Sequence, residues 1–125
     1  MPSDVTALLW DIVEASEFAE QLIEPLTLDQ YADSRLVQSG VERSLKIVGE
    51  ALRQLSKADS ILVQRIEGYQ GFIGLRNVIA HQYSVLEHDI LWGTVKRALP
   101  DLRRQLESIV KDREALEENH QGNES

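Results

Sequence analysis

The chain has 125 residues, which is enough for one domain with a hydrophobic core and too few for two. It contains no cysteine, which excludes disulfides, thiolate metal sites and cysteine nucleophiles. Its net charge of −8 argues against non-specific binding to nucleic acid, because such binding depends on neutralising phosphates; any RNA contact would need local basic patches.

The first apolar pattern predicts an amphipathic helix that Pro25 ends. Its apolar residues recur at the three- and four-residue spacing of one buried helical face: Leu8, Leu9, Ile12, Val13, Ala19, Leu22 and Ile23. Thr27 and Gln30 then have the spacing of a capping box, in which each residue satisfies a backbone N–H of the other. A second helix is therefore predicted to begin after Thr27.

The second predicted helix is unusually long, since its apolar pattern runs over residues 28–55. We expect Gly40 to bend or interrupt it, because glycine is a poor helix former. The apolar segment 61–66 then predicts one or two further helical turns.

The last third of the chain predicts two more helices. Gly68 and Gly71 indicate a looser connection into a third main helix over residues 72–80. A fourth apolar pattern covers residues 90–110, and Pro100 within it predicts a kink or a break. We therefore predict an all-α fold, an up-and-down bundle of four main helices plus a short one.

The domain organisation follows from where these patterns end. The helical domain is predicted to occupy residues 1–112, and the acidic segment 113–125 is predicted to be a disordered tail. No apolar run approaches the roughly 20 residues that a membrane span requires, and the N-terminus lacks the layout of a signal peptide. We expect a cytoplasmic protein without a membrane partner.

The segment 76–83 concentrates reactive side chains. It contains Arg76, whose planar fork of donors matches phosphate oxygens, and His81, which can exchange a proton near neutral pH. It also contains Tyr83, whose hydroxyl can be modified or can position a ligand. Together these are components of a phosphate-handling site.

Helical geometry limits how the segment can form one site. On a straight α-helix Arg76 and Tyr83 share a face, whereas His81 lies roughly 140° away from Arg76. Either the chain leaves helical geometry near His81, or a twofold dimer brings Arg76 of one copy towards His81 of the other. Taken singly, the three residues also fit structural roles: a surface cation, a helix C-terminal cap and a core aromatic residue.

The sequence resembles a known family at several positions. Residues 76–83, Arg-Asn-Val-Ile-Ala-His-Gln-Tyr, are similar to the RX4HXY motif of HepT-like toxins, a branch of the HEPN superfamily of small helical ribonucleases. Residues 45–51 resemble the Ile-Gly-Glu-Ala segment of the family's second helix, and residues 90–92 and 99–102 resemble its last helix. The resemblance covers most of residues 4–112.

The resemblance implies a HEPN-like bundle and the toxin of a type VII toxin-antitoxin system. Such a toxin is a homodimer that cleaves RNA without a metal ion, here through Arg76 and His81. Its implied partner is a nucleotidyltransferase antitoxin of the MntA type, which transfers AMP from ATP onto the tyrosine of the motif, here Tyr83.

The implied chemistry is consistent with the residues. RNA has a 2′-hydroxyl beside every phosphate, so His81 would accept that proton and Arg76 would stabilise the developing charge, leaving a 2′,3′-cyclic phosphate. We expect no cofactor. The three histidines share no ligand spacing, so we expect no metal site.

Two further expectations concern substrate and function class. Arg65, Lys96 and Arg97 are candidate RNA-binding residues, although charges on one helical face are often only solvated. The alternative function is a non-catalytic helical adaptor, or substrate subunit, of a nucleotidyltransferase. Substitution of Arg76 or His81 would distinguish the two, because only the nuclease requires them for RNA cleavage.

Overall fold

The computed structural model describes residues 4–123 apart from 82–87, and the side chains of residues 80, 81 and 119–123 lie outside this description. The helices in chain order are α1 (Asp4–Ile23), α2 (Leu28–Asp33), α3 (Arg35–Ala58), α4 (Ser60–Gln64), α5 (Tyr69–His81), α6 (His88–Gly93) and α7 (Leu99–Asn123). A π-helical turn, Thr94–Ala98, joins α6 to α7. The described residues contain no strand, and the prediction of an all-α bundle is confirmed.

Helix α3 lies at the centre of the bundle. It packs against α1 on one side and α5 on another, and α1 also packs against α7. The core consists of side chains removed from water, each worth about 1.5–3 kcal/mol of hydrophobic free energy. Its largest fully buried aliphatic members include Leu9, Ile12, Leu45, Leu52, Leu55, Leu102 and Leu106. Among the described helices, none is both long and apolar enough to cross a membrane.

The predicted long second helix is divided at Ser34, and the expected interruption at Gly40 is wrong. Ser34 is extended, with φ −109° and ψ 96°, and its hydroxyl accepts from the Val37 N–H at 3.2 Å to cap α3. The Gln38 amide donates to the carbonyls of Tyr31 and Ala32, both at 2.9 Å, which satisfies the exposed end of α2. Side-chain caps therefore determine the break, and the predicted capping box of Thr27 begins α2.

Gly40 lies within the uninterrupted α3 and faces α1. A Cβ built on it would lie 2.7 Å from Leu22 Cδ1, the flexible end of a side chain that can shift to make room. Gly68, in contrast, has φ +82°, a conformation that favours glycine, and it confirms the predicted turn before α5. Helix α5 begins at Tyr69, three residues earlier than predicted, because the Gly68 carbonyl accepts from the N–H groups of Gly71 and Phe72.

The predicted interruption at Pro100 takes the form of the π-helical turn. Proline has no N–H to donate, so a regular α-helix would lose one hydrogen bond at this position. The Leu99 N–H donates to the carbonyl of Thr94, five residues earlier, and α7 begins at Leu99. The backbone hydrogen bonds therefore change from α to π spacing just before Pro100, which has no N–H to continue the α spacing.

Helix α7 continues to Asn123, past residue 112, after which the acidic tail is predicted to begin. Two side chains just after residue 112 are held against α1. Arg113 donates to the Thr6 hydroxyl at 3.2 Å, and the Trp10 indole N–H donates to Glu114 at 2.9 Å. These contacts extend the ordered helix beyond residue 112, so the proposed domain boundary there does not coincide with a helix end.

Candidate active site

Arg76 lies where α5 packs tightly against α3. A Cβ built on Gly49 of α3 would lie 2.3 Å from Arg76 Cβ and 2.8 Å from the Phe72 carbonyl oxygen, both closer than real Cβ contacts. Neither atom belongs to the flexible end of a side chain. The missing side chain at Gly49 is therefore what allows the two helices to pack at this separation.

The guanidinium of Arg76 contacts two acceptors. Its Nη2 lies 3.0 Å from Glu50 Oε2, and its Nη1 donates to Asn77 Oδ1 at 2.9 Å. Arginine has five N–H donors in a planar fork. Beyond these two contacts with described residues, the half-buried guanidinium has donors for an anion such as phosphate.

Glu50 is bound from several sides at once. Arg53 Nη2 contacts Glu50 Oε1 at 3.0 Å, Arg53 Nε donates to Oε2 at 3.2 Å, and the Gln54 amide donates to Oε1 at 3.4 Å. The hydrogen bonds from Arg53 are the main cause that lowers the pKa of the Glu50 carboxyl below its usual value. Two guanidinium groups thus share one carboxylate, which leaves the group of three with one positive charge.

A cleft of about 410 Å³ opens beside this cluster, between α1 and α3. Arg76, Glu50 and Gln54 line one part of it, and Lys46 places a second cation on its wall. Leu8 and Ile47 supply apolar surface, and Asp11 and Ala51 complete the lining. The lining thus combines apolar surface with two cations, Lys46 and Arg76, and two carboxylates, Asp11 and Glu50.

The structure describes only part of the remaining motif. The backbone of His81 is the last residue of α5, and Tyr83 lies outside the described residues. Because Arg76 and His81 belong to one α-helix, their positions on it differ by about 140°. Helix α5 ends at His81, so both interpretations, a chain that leaves helical geometry near His81 and a site shared by two copies, stay predictions.

The three candidate RNA-binding residues are all exposed. Arg65 is the C-cap of α4, whereas Lys96 and Arg97 lie in the π-helical turn. The Lys96 ammonium lies 4.9 Å from the centroid of the Trp92 ring. Lys96 also lines a second cleft of about 510 Å³ that contains Glu17, Glu20 and Glu24, whose charges oppose phosphate.

Glu50 and Lys46 lie in the segment 45–51 that resembles the family, but the sequence indicates no role for either of them beside Arg76. A weak signal exists, because Arg43, Lys46, Glu50, Arg53 and Lys57 recur at three- and four-residue spacing on one face of α3. Such a stripe is typical of a solvated helix face. Its relation to Arg76 depends on the packing of α5 against α3. Among the described residues, no three His, Asp or Glu side chains are grouped as a metal site requires.

Comparisons with known proteins agree on one family. The model of the family described as Ribonuclease HepT-like matches residues 12–109. A Methanocaldococcus jannaschii protein named as a candidate RNase is 31% identical over 116 residues, which cover 93% of this chain and 95% of that protein. Another, named "Probable ribonuclease HepT", from Thermococcus cleftensis, is 28% identical over 103 residues, covering 82% of this chain and 93% of its own. No solved structure matches at a significant level.

Proposed function

The chain belongs to the HepT-like ribonuclease family, and on that premise we propose that it is the toxin of a type VII toxin-antitoxin pair that cleaves RNA without a metal ion. The observation that carries this proposal is the placement of Arg76. Its guanidinium is held at the wall of a cleft that also contains Lys46, in a chain that is otherwise acidic. Arg76 and Lys46 are the two cations of this cleft, which Asp11 and Glu50 also line, and such local cations are what an acidic protein needs to bind a phosphodiester.

The proposed reaction uses the 2′-hydroxyl of RNA. His81 accepts the 2′ proton as the 2′-oxygen forms a bond to phosphorus, the bond to the 5′-oxygen breaks, and that oxygen takes up a proton from solvent. Arg76 stabilises the charge that develops on the phosphate oxygens. The products are a 2′,3′-cyclic phosphate and a 5′-hydroxyl.

We propose a twofold homodimer as the active form. Arg76 of one protomer and His81 of its partner would face one substrate, since one helix separates these positions by about 140°. The RNA would lie along the cleft beside Lys46, with Arg65, Lys96 and Arg97 as outlying contacts. All four of these cations are exposed and can reach phosphates.

Cleavage by the purified protein should persist in excess EDTA, because the proposed chemistry needs only protein groups. The test uses a short RNA labelled at one end. The upstream product should resist ligation until its cyclic phosphate is removed, and the same oligonucleotide with 2′-deoxyribose at the cleaved position should stay intact. Loss of cleavage in EDTA that Mg²⁺ restores, or cleavage of the deoxy substrate, would contradict the mechanism.

We also propose that a nucleotidyltransferase antitoxin of the MntA type inactivates the protein at Tyr83. In this step the tyrosine oxygen bonds to the α-phosphorus of ATP and pyrophosphate leaves. The resulting phosphodiester anion would pair with the Arg76 guanidinium and occupy the cleft, so that RNA is excluded by both charge and volume.

Incubation with the antitoxin, ATP and Mg²⁺ should add AMP to the peptide that contains Tyr83, and cleavage should fall as the modified fraction rises. Mass spectrometry of the digested protein measures both the mass and its position. Tyr83→Phe should accept no AMP and should keep its cleavage activity in the presence of the antitoxin. AMP on the peptide that contains Tyr69, or on none, would rule out this regulation.

A further inference from the structure

We propose that Glu50 is a positioning residue for Arg76, and that Arg53 in turn holds Glu50 in place. The carboxylate would fix the Arg76 guanidinium in the orientation in which it meets the scissile phosphate. This inference rests on the proposed RNA cleavage, and it concerns residues outside the 76–83 segment.

The contacts of Glu50 support this role. One of its oxygens contacts Arg76 of α5, and both accept from Arg53, three residues further along α3. A guanidinium that binds both oxygens of a carboxylate restricts its rotation. The carboxylate is thus held by its own helix and presents a defined acceptor to the neighbouring helix.

Gly49, the residue before Glu50, packs against the Cβ end of the Arg76 side chain. Because Arg76 Cβ lies against the α3 backbone at Gly49, the first atoms of the side chain are confined by packing. Glu50, the next residue of α3, then contacts the terminal guanidinium. Gly49 and Glu50, consecutive residues of α3, therefore restrain the Cβ and the guanidinium of Arg76 respectively.

Stability alone is a weak reason for such an arrangement. Glu50 and Arg76 are each 31% exposed at the side chain, and pairs with this exposure contribute little to folding. A small restraint on orientation can nevertheless have a large effect on rate, since a displacement of about 1 Å at an active site can cost about 10²-fold. The larger consequence of the pair is therefore expected in catalysis.

The charges of Glu50, Arg53 and Arg76 predict a change in kinetic constants that a general loss of folded structure would not produce. The Glu50 carboxyl is ionised at neutral pH and Arg53 and Arg76 are cations, so the wild-type cluster has one net positive charge. Removing the carboxylate leaves two unopposed guanidinium groups, which attract RNA more strongly but are less ordered. The expected signature is a lower kcat with a KM that is unchanged or lower.

Kinetics of three variants test this signature. Glu50→Ala should lower kcat for RNA cleavage by about 10²-fold without raising KM. Glu50→Gln should recover part of the loss, because its single amide oxygen can still accept from Arg76. Arg53→Ala should also lower kcat, and the double variant should be no slower than Glu50→Ala, because both changes disrupt one chain of contacts.

Glu20→Ala is the matched control. It removes the carboxylate that contacts Arg103 at 2.7 Å and joins α1 to α7, a pair closer than Glu50 and Arg76 at 3.0 Å. It should leave kcat unchanged. The proposal fails if Glu50→Ala keeps its kcat, if it loses activity only through KM, or if its effect adds to that of Arg53→Ala.

A readout independent of cleavage separates this proposal from the proposed function. Rotation of the Arg76 guanidinium, followed by NMR of its ¹⁵N-labelled side chain, should be slow in the wild type and in Glu20→Ala, and fast in Glu50→Ala. If the wild type does not cleave RNA, the nuclease assignment fails and the NMR result still decides whether Glu50 orders Arg76. Equal rotation in all three proteins would overturn the positioning role.

Discussion

Replacing His81 by alanine should lower the rate of RNA cleavage by about 10²–10⁴-fold, the usual contribution of a positioned general base. The KM for RNA should change little, because the imidazole acts on the 2′ proton and the cations bind the phosphates. Single-turnover cleavage of a labelled RNA measures the effect. His120→Ala, a histidine outside the motif, is the control and should cleave at the wild-type rate.

Mixing two inactive variants tests whether the site is shared between subunits. A dimer formed from Arg76→Ala and His81→Ala subunits retains one intact site, with Arg76 and His81 from different copies. After subunit exchange, activity should return to about a quarter of the wild-type level, since about half of the dimers are mixed. No recovery would place both residues in one subunit's site. Unchanged cleavage by each single variant would instead favour the non-catalytic adaptor.

Replacing Gly49 by alanine should destabilise the fold and reduce cleavage together. In an ordinary helix this change stabilises by roughly 0.5–1 kcal/mol, because glycine loses more backbone entropy on folding. Here the new Cβ would meet Arg76 Cβ at 2.3 Å and the Phe72 carbonyl oxygen at 2.8 Å. Relieving this overlap requires α5 to move away from α3, and overpacking of this kind costs about 1–3 kcal/mol.

The same movement would separate Arg76 from Glu50, so kcat should fall by about 10²-fold. Urea unfolding measures the stability change, and cleavage assays measure the rate. Gly74→Ala is the matched control, because Gly74 lies in α5 near Arg76 and, apart from its chain neighbours and its own helix backbone, a Cβ there meets no described atom within 4 Å. It should raise stability by roughly 0.5–1 kcal/mol and leave cleavage intact. A Gly49→Ala protein as stable and active as Gly74→Ala would show that the close approach is unimportant.

Local sequence patterns predicted most of the helices because their signals lie within a few residues. The capping box at Thr27, the turn at Gly68 and the interruption before Pro100 all depend on neighbours in the chain. The division at Ser34 was missed because the apolar pattern continues across it. The helix in the segment 113–123 was missed because contacts with α1 hold its start, and those contacts are distant in sequence.

The sequence by itself determined the all-α class, the RX4HXY motif and the angle of about 140° that would separate Arg76 from His81 if both lay on one helix, because each depends only on residue identity and helical geometry. Only the tertiary structure decided which partners surround Arg76. Gly49 and Glu50 contact it and Lys46 lines the same cleft, because α3 packs against α5 and forms a cleft with α1, and no local pattern specifies that packing. The motif is local in the chain, whereas the environment that orients its arginine comes from another helix.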